Sequence, residues 1–307
     1  MSRGSRNILH PLAATTAAGT AVLIFVGGLV TSTGSGLAVP DWPLSFGTLF
    51  PPMEGGVLYE HGHRMVAGVI LLLTLALAVT VQLRDPRRAV RRLAWGAVAV
   101  VLLQALLGGA TVLLRLPLAV SVFHACLAQI FLCLVVTLAV VTSPNWPGLA
   151  RPVPRSPLLF LSGATVTLVF GQLVLGALVR HMGAGLAIPD FPLSFGRWIP
   201  PVFPEPVLVH FLHRLGAVAV TLAVVLTAAQ ALRLRALAPR VARAALVLVS
   251  LVAGQLALGA AIVWSRRAVL PTTAHVLLGA LVLATSVVLV LRSASLAPGT
   301  GRGGHEP

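Results

Sequence analysis

The chain alternates long apolar stretches with short polar ones. Eight stretches lie near 11–31, 61–83, 93–113, 121–142, 157–179, 210–232, 241–263 and 271–292. Each is close to the roughly 20 residues that a helix needs to cross a hydrocarbon core about 30 Å thick. Leu, Val and Ala dominate them and no period-2 alternation runs through them, so helices rather than a β-barrel satisfy the backbone in lipid. The pattern predicts an all-α integral membrane protein with eight transmembrane helices. Composition agrees: 57% of the 307 residues are hydrophobic and 9% charged, too few polar groups to cover a water-soluble surface.

The pattern also occurs twice. T-G-S-G-L-A-V-P-D-W-P-L-S-F-G at 33–47 returns as M-G-A-G-L-A-I-P-D-F-P-L-S-F-G at 182–196, an offset of 149. G-H-R at 62–64 matches L-H-R at 212–214, and F-H-A at 123–125 matches A-H-V at 274–276. Each half then holds four helices, and an even number sends both halves into the membrane in the same direction. Two pseudo-symmetric four-helix bundles are expected, residues 1–142 and 157–307, related by an axis along the membrane normal. The Pro- and Arg-containing segment 143–156 is the expected cytoplasmic linker.

Net charge is +15, and all 22 basic residues are Arg. Their distribution reports topology and excludes nucleic acid as the partner. Fifteen fall in 1–10, 84–92, 143–156, 233–243 and the tail from 292, whereas the opposite loops hold only Arg115, Arg180, Arg197, Arg266 and Arg267. The positive-inside rule therefore places both termini in the cytoplasm, with the bilayer of the cell membrane as the main solvent. Residues 1–31 resemble a secretory signal in their Arg3 and Arg6, but the apolar run exceeds a usual signal core and reads as the first helix. Cys126 and Cys133 share one face of the fourth helix and read as small packing residues.

Candidate chemistry rests on four histidines: His63 and His124 in the first half, His213 and His275 in the second. Each lies a few residues inside the outer end of an even-numbered helix, so all four share one level near the outer face. Within each half two imidazoles on different helices can face one another across the bundle, an arrangement that clamps a haem iron from both sides. Ionisable groups within a bilayer are costly and mark functional positions, and here the same pair recurs at equal depth. Zinc fits less well, because the pairs lack further Cys or His neighbours. Glu60 precedes His63 by three residues on the same helical face, where the second half has His210. A carboxylate beside one site can accept a proton during an oxidation, while a site without it can pass electrons. The substrate is accordingly assigned to the first half and the cofactor to the second; the structural alternative is that Glu60 pairs with Arg64.

The flanking residues carry further expectations. Arg64 and Arg214 either meet haem propionates or snorkel to the interface. Asp41 and Asp190 read as turn residues, His61 as interfacial and His181 as an outer-loop residue. A Q-x-x-x-G pattern recurs at Gln104/Gly108, Gln172/Gly176 and Gln255/Gly259. It reads as glycine packing with a glutamine bonded across helices, or as room for a flat macrocycle.

G-S-G-L-A-V-P-D-W-P-L-S-F-G at 34–47, E-H-G-H-R at 60–64 and the single histidines opening later helices resemble the haem A synthase family over nearly the whole chain. The resemblance implies eight helices in two similar bundles and the oxidation of a ring methyl of haem O to the formyl group of haem A, for cytochrome oxidase. It implies that His213 and His275 hold a haem b cofactor, that His63 and His124 flank the substrate haem, and that Glu60 assists the oxidation. An electron-transfer partner is implied without being identified, and a haem O synthase is a candidate neighbour. Some bacterial members carry a cysteine pair bracketing the P-D-W-P loop where this chain has Val39 and Ser45, so that loop disulfide cannot form here. Two other classes compete: a dihaem cytochrome relaying electrons to or from quinone, and a transporter built from parallel repeats.

Overall fold

The structure, a computed structural model, describes residues 3–144, 146 and 156–296. Arg151, Arg155, Arg302 and most of the expected linker lie outside the described residues. The helices are α1 (Arg3–Ser32), α2 (Gly56–Arg84), α3 (Arg88–Leu113), α4 (Leu118–Thr142), α5 (Leu158–His181), α6 (Glu205–Arg233), α7 (Pro239–Trp264) and α8 (Val269–Ala294). All eight carry segments long and apolar enough to cross a membrane, and the chain is a multi-pass membrane protein.

Several helices begin before the apolar runs do. α2 and α6 start at Gly56 and Glu205 and α3 at Arg88, each five residues ahead of the expected boundary. Hydropathy marks where the hydrocarbon stops, whereas a helix continues while its backbone groups find partners four residues away. Polar residues such as Tyr59, Glu60 and His61, or Arg88, Arg91 and Arg92, are therefore helical. The histidines therefore stand further along their helices than expected: His63 is seven residues in from Gly56, His124 six from Leu118, His213 eight from Glu205 and His275 six from Val269.

α1 packs on α2 and α4, and α3 bridges α2 and α4, closing one ring of four; α5, α6, α7 and α8 close a second in the same order. Each ring has its own apolar core, around Leu77, Val81, Phe131 and Val135 in the first and Val224, Ala231, Leu248 and Leu283 in the second. The rings meet where α1 and α4 pack on α8, and α4 on α5. Lipid is as apolar as these side chains, so close packing and polar contacts must hold the seam. Arg180 donates to the Gly28 carbonyl at 2.6 Å and to the Ser32 hydroxyl at 2.9 Å, and Thr273 donates to the same hydroxyl at 2.9 Å. Gly28 lets α8 approach: a Cβ there would stand 3.1 Å from Thr273 Cγ2. Cys133 packs against the second core and Cys126 is a free thiol, in keeping with packing roles.

Candidate functional site

All four histidines have the same kind of seat. In each helix pair the odd-numbered helix presents a glycine to the imidazole of the even-numbered one. A Cβ at Gly27 would stand 2.9 Å from His63 Cε1, at Gly108 3.1 Å from His124 Cε1, at Gly176 3.2 Å from His213 Cε1, and at Gly259 3.5 Å from His275 Cε1. The glycines of the Q-x-x-x-G pattern thus leave room for an imidazole ring edge, not for general helix packing alone. The glutamines do bond across helices: Gln104 Nε2 donates to the His124 carbonyl at 3.0 Å, and Gln172 Nε2 to the His213 carbonyl at 2.8 Å while lying 3.0 Å from His213 Nδ1. In α1 the corresponding position is Leu23, so His63 alone has no such glutamine.

Buried polar atoms without partners concentrate at these seats: Nδ1 of His63, His124 and His275, and Oε1 of Gln104, Gln172 and Gln255. Native proteins keep few such atoms, and a cluster of them marks a place built for something other than packing.

In the second half, the rings of His213 and His275 stand 6.4 Å apart centre to centre, at 65° to one another. A metal–imidazole bond is about 2 Å, and two of them plus the reach from each nitrogen to its ring centre span roughly 6 Å. One metal ion therefore fits between the rings. No group of three or more His, Cys, Asp or Glu is placed to hold a metal among the described residues, so two imidazoles suit an ion whose other ligands arrive with it. The rings line a cavity of about 650 Å³, walled by Val169, Leu173, Ala217, Val252 and Val282 and reaching Cys126 and Gln129 on α4. Its size lies in the range of small-molecule and cofactor sites.

The P-D-[WF]-P-L-S-F-G loops fold identically over one end of both bundles, called here the loop end. Asp41 accepts the Phe46 N–H at 2.7 Å and the Gly47 N–H at 2.8 Å; Asp190 accepts those of Phe195 and Gly196, each at 2.7 Å. Phe46, Gly47, Phe195 and Gly196 all have φ between 53° and 73°, turning successive N–H groups toward the carboxylate. The Gly47 N–H first, with Phe46 and Arg64, holds the Asp41 carboxyl below its ordinary pKa; the Gly196 N–H first does so for Asp190. Both are turn residues, as expected.

Three expectations are corrected by this loop. Arg64 does not snorkel and is spent on loop carbonyls, donating to Asp41 at 2.7 Å and Leu44 at 2.8 Å; Arg214 does the same with Asp190 at 2.7 Å and Leu193 at 2.8 Å. A loop that folds back over the bundle needs donors for its inward carbonyls, and these arginines supply them. His61 is buried rather than interfacial, its Nδ1 2.8 Å from the Ser45 hydroxyl. His181 ends α5 and lines the cavity rather than a loop.

Glu60 is 4% exposed. One oxygen accepts from Arg64 at 2.7 Å and the other from the Val39 N–H at 2.9 Å. The pairing with Arg64 is thus present, and the carboxylate also fastens the loop. His210 takes the equivalent place, its Nδ1 accepting the Ile188 N–H at 3.3 Å. Sequence gave no sign of this clasp, because the acceptor and the loop N–H are 21 or 22 residues apart. It also passed over Arg180 and Arg267, which line the second-half cavity; counted as loop charges, they gave no signal beyond standing at the ends of apolar runs.

Residues 56–287 match the COX15-CtaA family, described as cytochrome oxidase assembly protein. The chain is similar to the heme A synthase of Symbiobacterium thermophilum, 36% identical over 238 residues covering 71% of this chain and 74% of that one. It is 30% identical to the heme A synthase of Shouchella clausii, covering 70% and 73% of the two chains, and 31% identical to that of Bacillus licheniformis, covering 80% and 84%. With eight membrane helices and a match running from α2 into α8, the chain belongs to the COX15-CtaA family of cytochrome oxidase assembly proteins.

Proposed function

We propose that this protein is a haem A synthase of the cell membrane, oxidising a methyl group of haem O to the formyl group of haem A, with both termini in the cytoplasm. The single observation that carries the reading is the His213–His275 pair, 6.4 Å apart on an apolar cavity. That spacing would let both imidazoles hold one iron, and two imidazoles without further ligands suit an iron already held by a macrocycle. The family and the printed names of its relatives agree with it.

In this reading residues 157–307 form the cofactor bundle, where His213 and His275 would hold haem b. Residues 1–142 form the substrate bundle, where His63 and His124 flank haem O. Haem b, when bound, supplies one-electron redox capacity. The chain's own groups do the rest. The glycine seats fix each imidazole, Gln104 and Gln172 tie helices to histidine carbonyls, and the two loops cover the loop end of each bundle. Trp42 lies on Gly109, where a Cβ would stand 2.5 Å from Cδ2 of the indole, and helps exclude water from the first half. Glu60, held by Arg64 and Val39, is the proton acceptor on the substrate side. Turning a methyl into a formyl group removes electrons and adds oxygen, so an electron partner outside this chain is required; haem O synthase is the natural source of the substrate.

A dihaem relay has the same histidines and differs in its product. Pigment extraction from purified protein supplied with haem O separates the two: wild type should yield formyl haem, Glu60→Ala should keep haem b and yield none, and His213→Ala should lose haem b. Wild type that binds haem yet forms no formyl product supports the relay, and full activity in Glu60→Ala removes the carboxylate from the reaction.

A further inference from the structure

The duplication allows each residue of one half to be compared with its counterpart in the other, and two of the cations that line the second-half cavity have no cationic counterpart. Arg180, at the end of α5, corresponds to Thr31 by the offset of 149 that relates the loops. Arg267, in the turn between α7 and α8, corresponds to Leu116 by the offset of 151 that relates His124 to His275. The backbones agree: Arg115 and Leu116 have φ of 58° and 59°, Arg266 and Arg267 of 51° and 68°. The surroundings agree too. A Cβ on Gly36 would meet Leu116 Cδ1 at 3.4 Å, and one on the matching Gly185 would meet Arg267 Cδ at 3.6 Å.

Both arginines line the cavity of His213 and His275, and neither has a carboxylate partner: the ion pairs among the described residues are Arg64–Glu60 and Arg87–Asp85. Arg180 uses one nitrogen on the seam, and Arg267 makes no side-chain hydrogen bond among the described residues. Arg180 is half-buried beside an apolar cavity, where a guanidinium without a counter-charge is costly unless an anion meets it, and Arg267 is exposed at the rim and open to an anion. Arg214, the other cation lining the cavity, is spent on loop carbonyls and on the face of Phe191, 5.7 Å away. The cavity therefore has imidazoles and apolar walls within and two cations without carboxylate partners at the loop end, complementary to a flat apolar ligand with two carboxylates on one edge.

We infer that Arg180 and Arg267 bind the carboxylate groups of the tetrapyrrole seated between His213 and His275, and that the first half, with Thr31 and Leu116 instead, lacks this anchor. The inference rests on the haem reading above and adds what that reading does not contain: a reason why one tetrapyrrole stays while the other is released. An enzyme that modifies one haem and keeps another needs unequal retention, and the unequal charges supply it. Guanidinium–carboxylate bonds in a low-dielectric site are among the stronger polar contacts available.

The test is release of haem b from purified full-length protein to excess apomyoglobin, followed by absorbance, with haem b dimethyl ester, which has no free carboxylates, as a second ligand. Arg267→Leu should speed release of the His213-dependent haem tenfold or more, Arg267→Lys less. The ester should leave wild type and Arg267→Leu at the same fast rate. Release of haem b from Arg267→Leu at the wild-type rate, or an ester retained by wild type as well as haem b, overturns the anchor. The ester arm with wild type needs no folded variant. If wild type carries no haem that His213→Ala removes, the haem reading itself fails, an outcome distinct from haem bound but released at equal rates.

Discussion

In the first bundle the loop N–H of Val39 is received by a carboxylate, Glu60; in the second the N–H of Ile188 is received by an imidazole, His210. The loop on the first carries Trp42, whose indole lies on Gly109, and the loop on the second carries Phe191, set edge-on to Trp264 at 6.1 Å. Ala260 stands where Gly109 would be, so the second half has no matching bay for an indole. Leu23, Thr31 and Leu116 in the first half stand at the positions that Gln172, Arg180 and Arg267 hold in the second. What is common to both halves is the frame: glycine-seated histidines, the aspartate-capped turn, and an arginine holding the loop. What differs surrounds the frame. The second half has more positive charge at its cavity, which in the proposed reading keeps a ligand, and the first has a carboxylate and a larger aromatic cover, which in that reading act on one and let it go.

The largest effect should come from exchanging the clasp residues. Glu60→His places in the first half the residue that already fastens the second-half loop, so it keeps an acceptor for the Val39 N–H while removing the carboxylate. Loss of a proton acceptor costs about 10²–10⁴-fold in rate, and formyl haem production should fall by that order while haem b content is unchanged. The converse, His210→Glu, should leave product formation largely intact. Should Glu60→His turn over as wild type does, the halves do not differ by their carboxylate, and Glu60 is a loop fastener only.

A smaller and graded effect is expected at the histidine seats. A methyl at Gly27 would press on His63 at 2.9 Å, whereas one at Gly259 would meet His275 at 3.5 Å, an ordinary contact. Overpacking costs about 1–3 kcal/mol, so Gly27→Ala should lower the thermal midpoint in detergent. Glycine in a helix is itself less favourable than alanine by about 1 kcal/mol, so Gly259→Ala should be neutral or slightly stabilising, with Gly108→Ala and Gly176→Ala between. An equal response at all four would mean that the seats do not constrain the rings.

The seats also show how far sequence reading reaches. The eight helices were legible because lipid is their solvent and apolar runs betray them; the helix starts were not, because Glu60 or Arg88 obey the backbone ladder and not hydropathy. The His213–His275 pair was legible from the repeat. The glycines beside them were visible as a pattern, but which atom they made room for depends on how α1 lies against α2, a tertiary fact. Least legible were Ser45 with His61 and Val39 with Glu60, since a polar contact across a loop leaves no periodic trace.

The smallest effect is one in which the halves should not differ. Asp41 and Asp190 each accept two loop N–H groups, which lower both carboxyls below the ordinary value of 3.8. A group whose pKa is depressed on folding contributes stability above its unfolded value, and that contribution is lost as pH falls through the lower folded value. Both loops should therefore hold their turns at neutral pH and down to about pH 4, then loosen together in stronger acid. Hydrogen exchange of the peptides containing Gly47 and Gly196, corrected for the intrinsic pH dependence of exchange, reads this directly. Asp41→Asn should abolish the acid transition at the first loop and leave the second unchanged, since the two carboxylates have separate donors. Loosening of one loop well before the other in wild type would place a difference between the halves in the frame itself, where the geometry shows none.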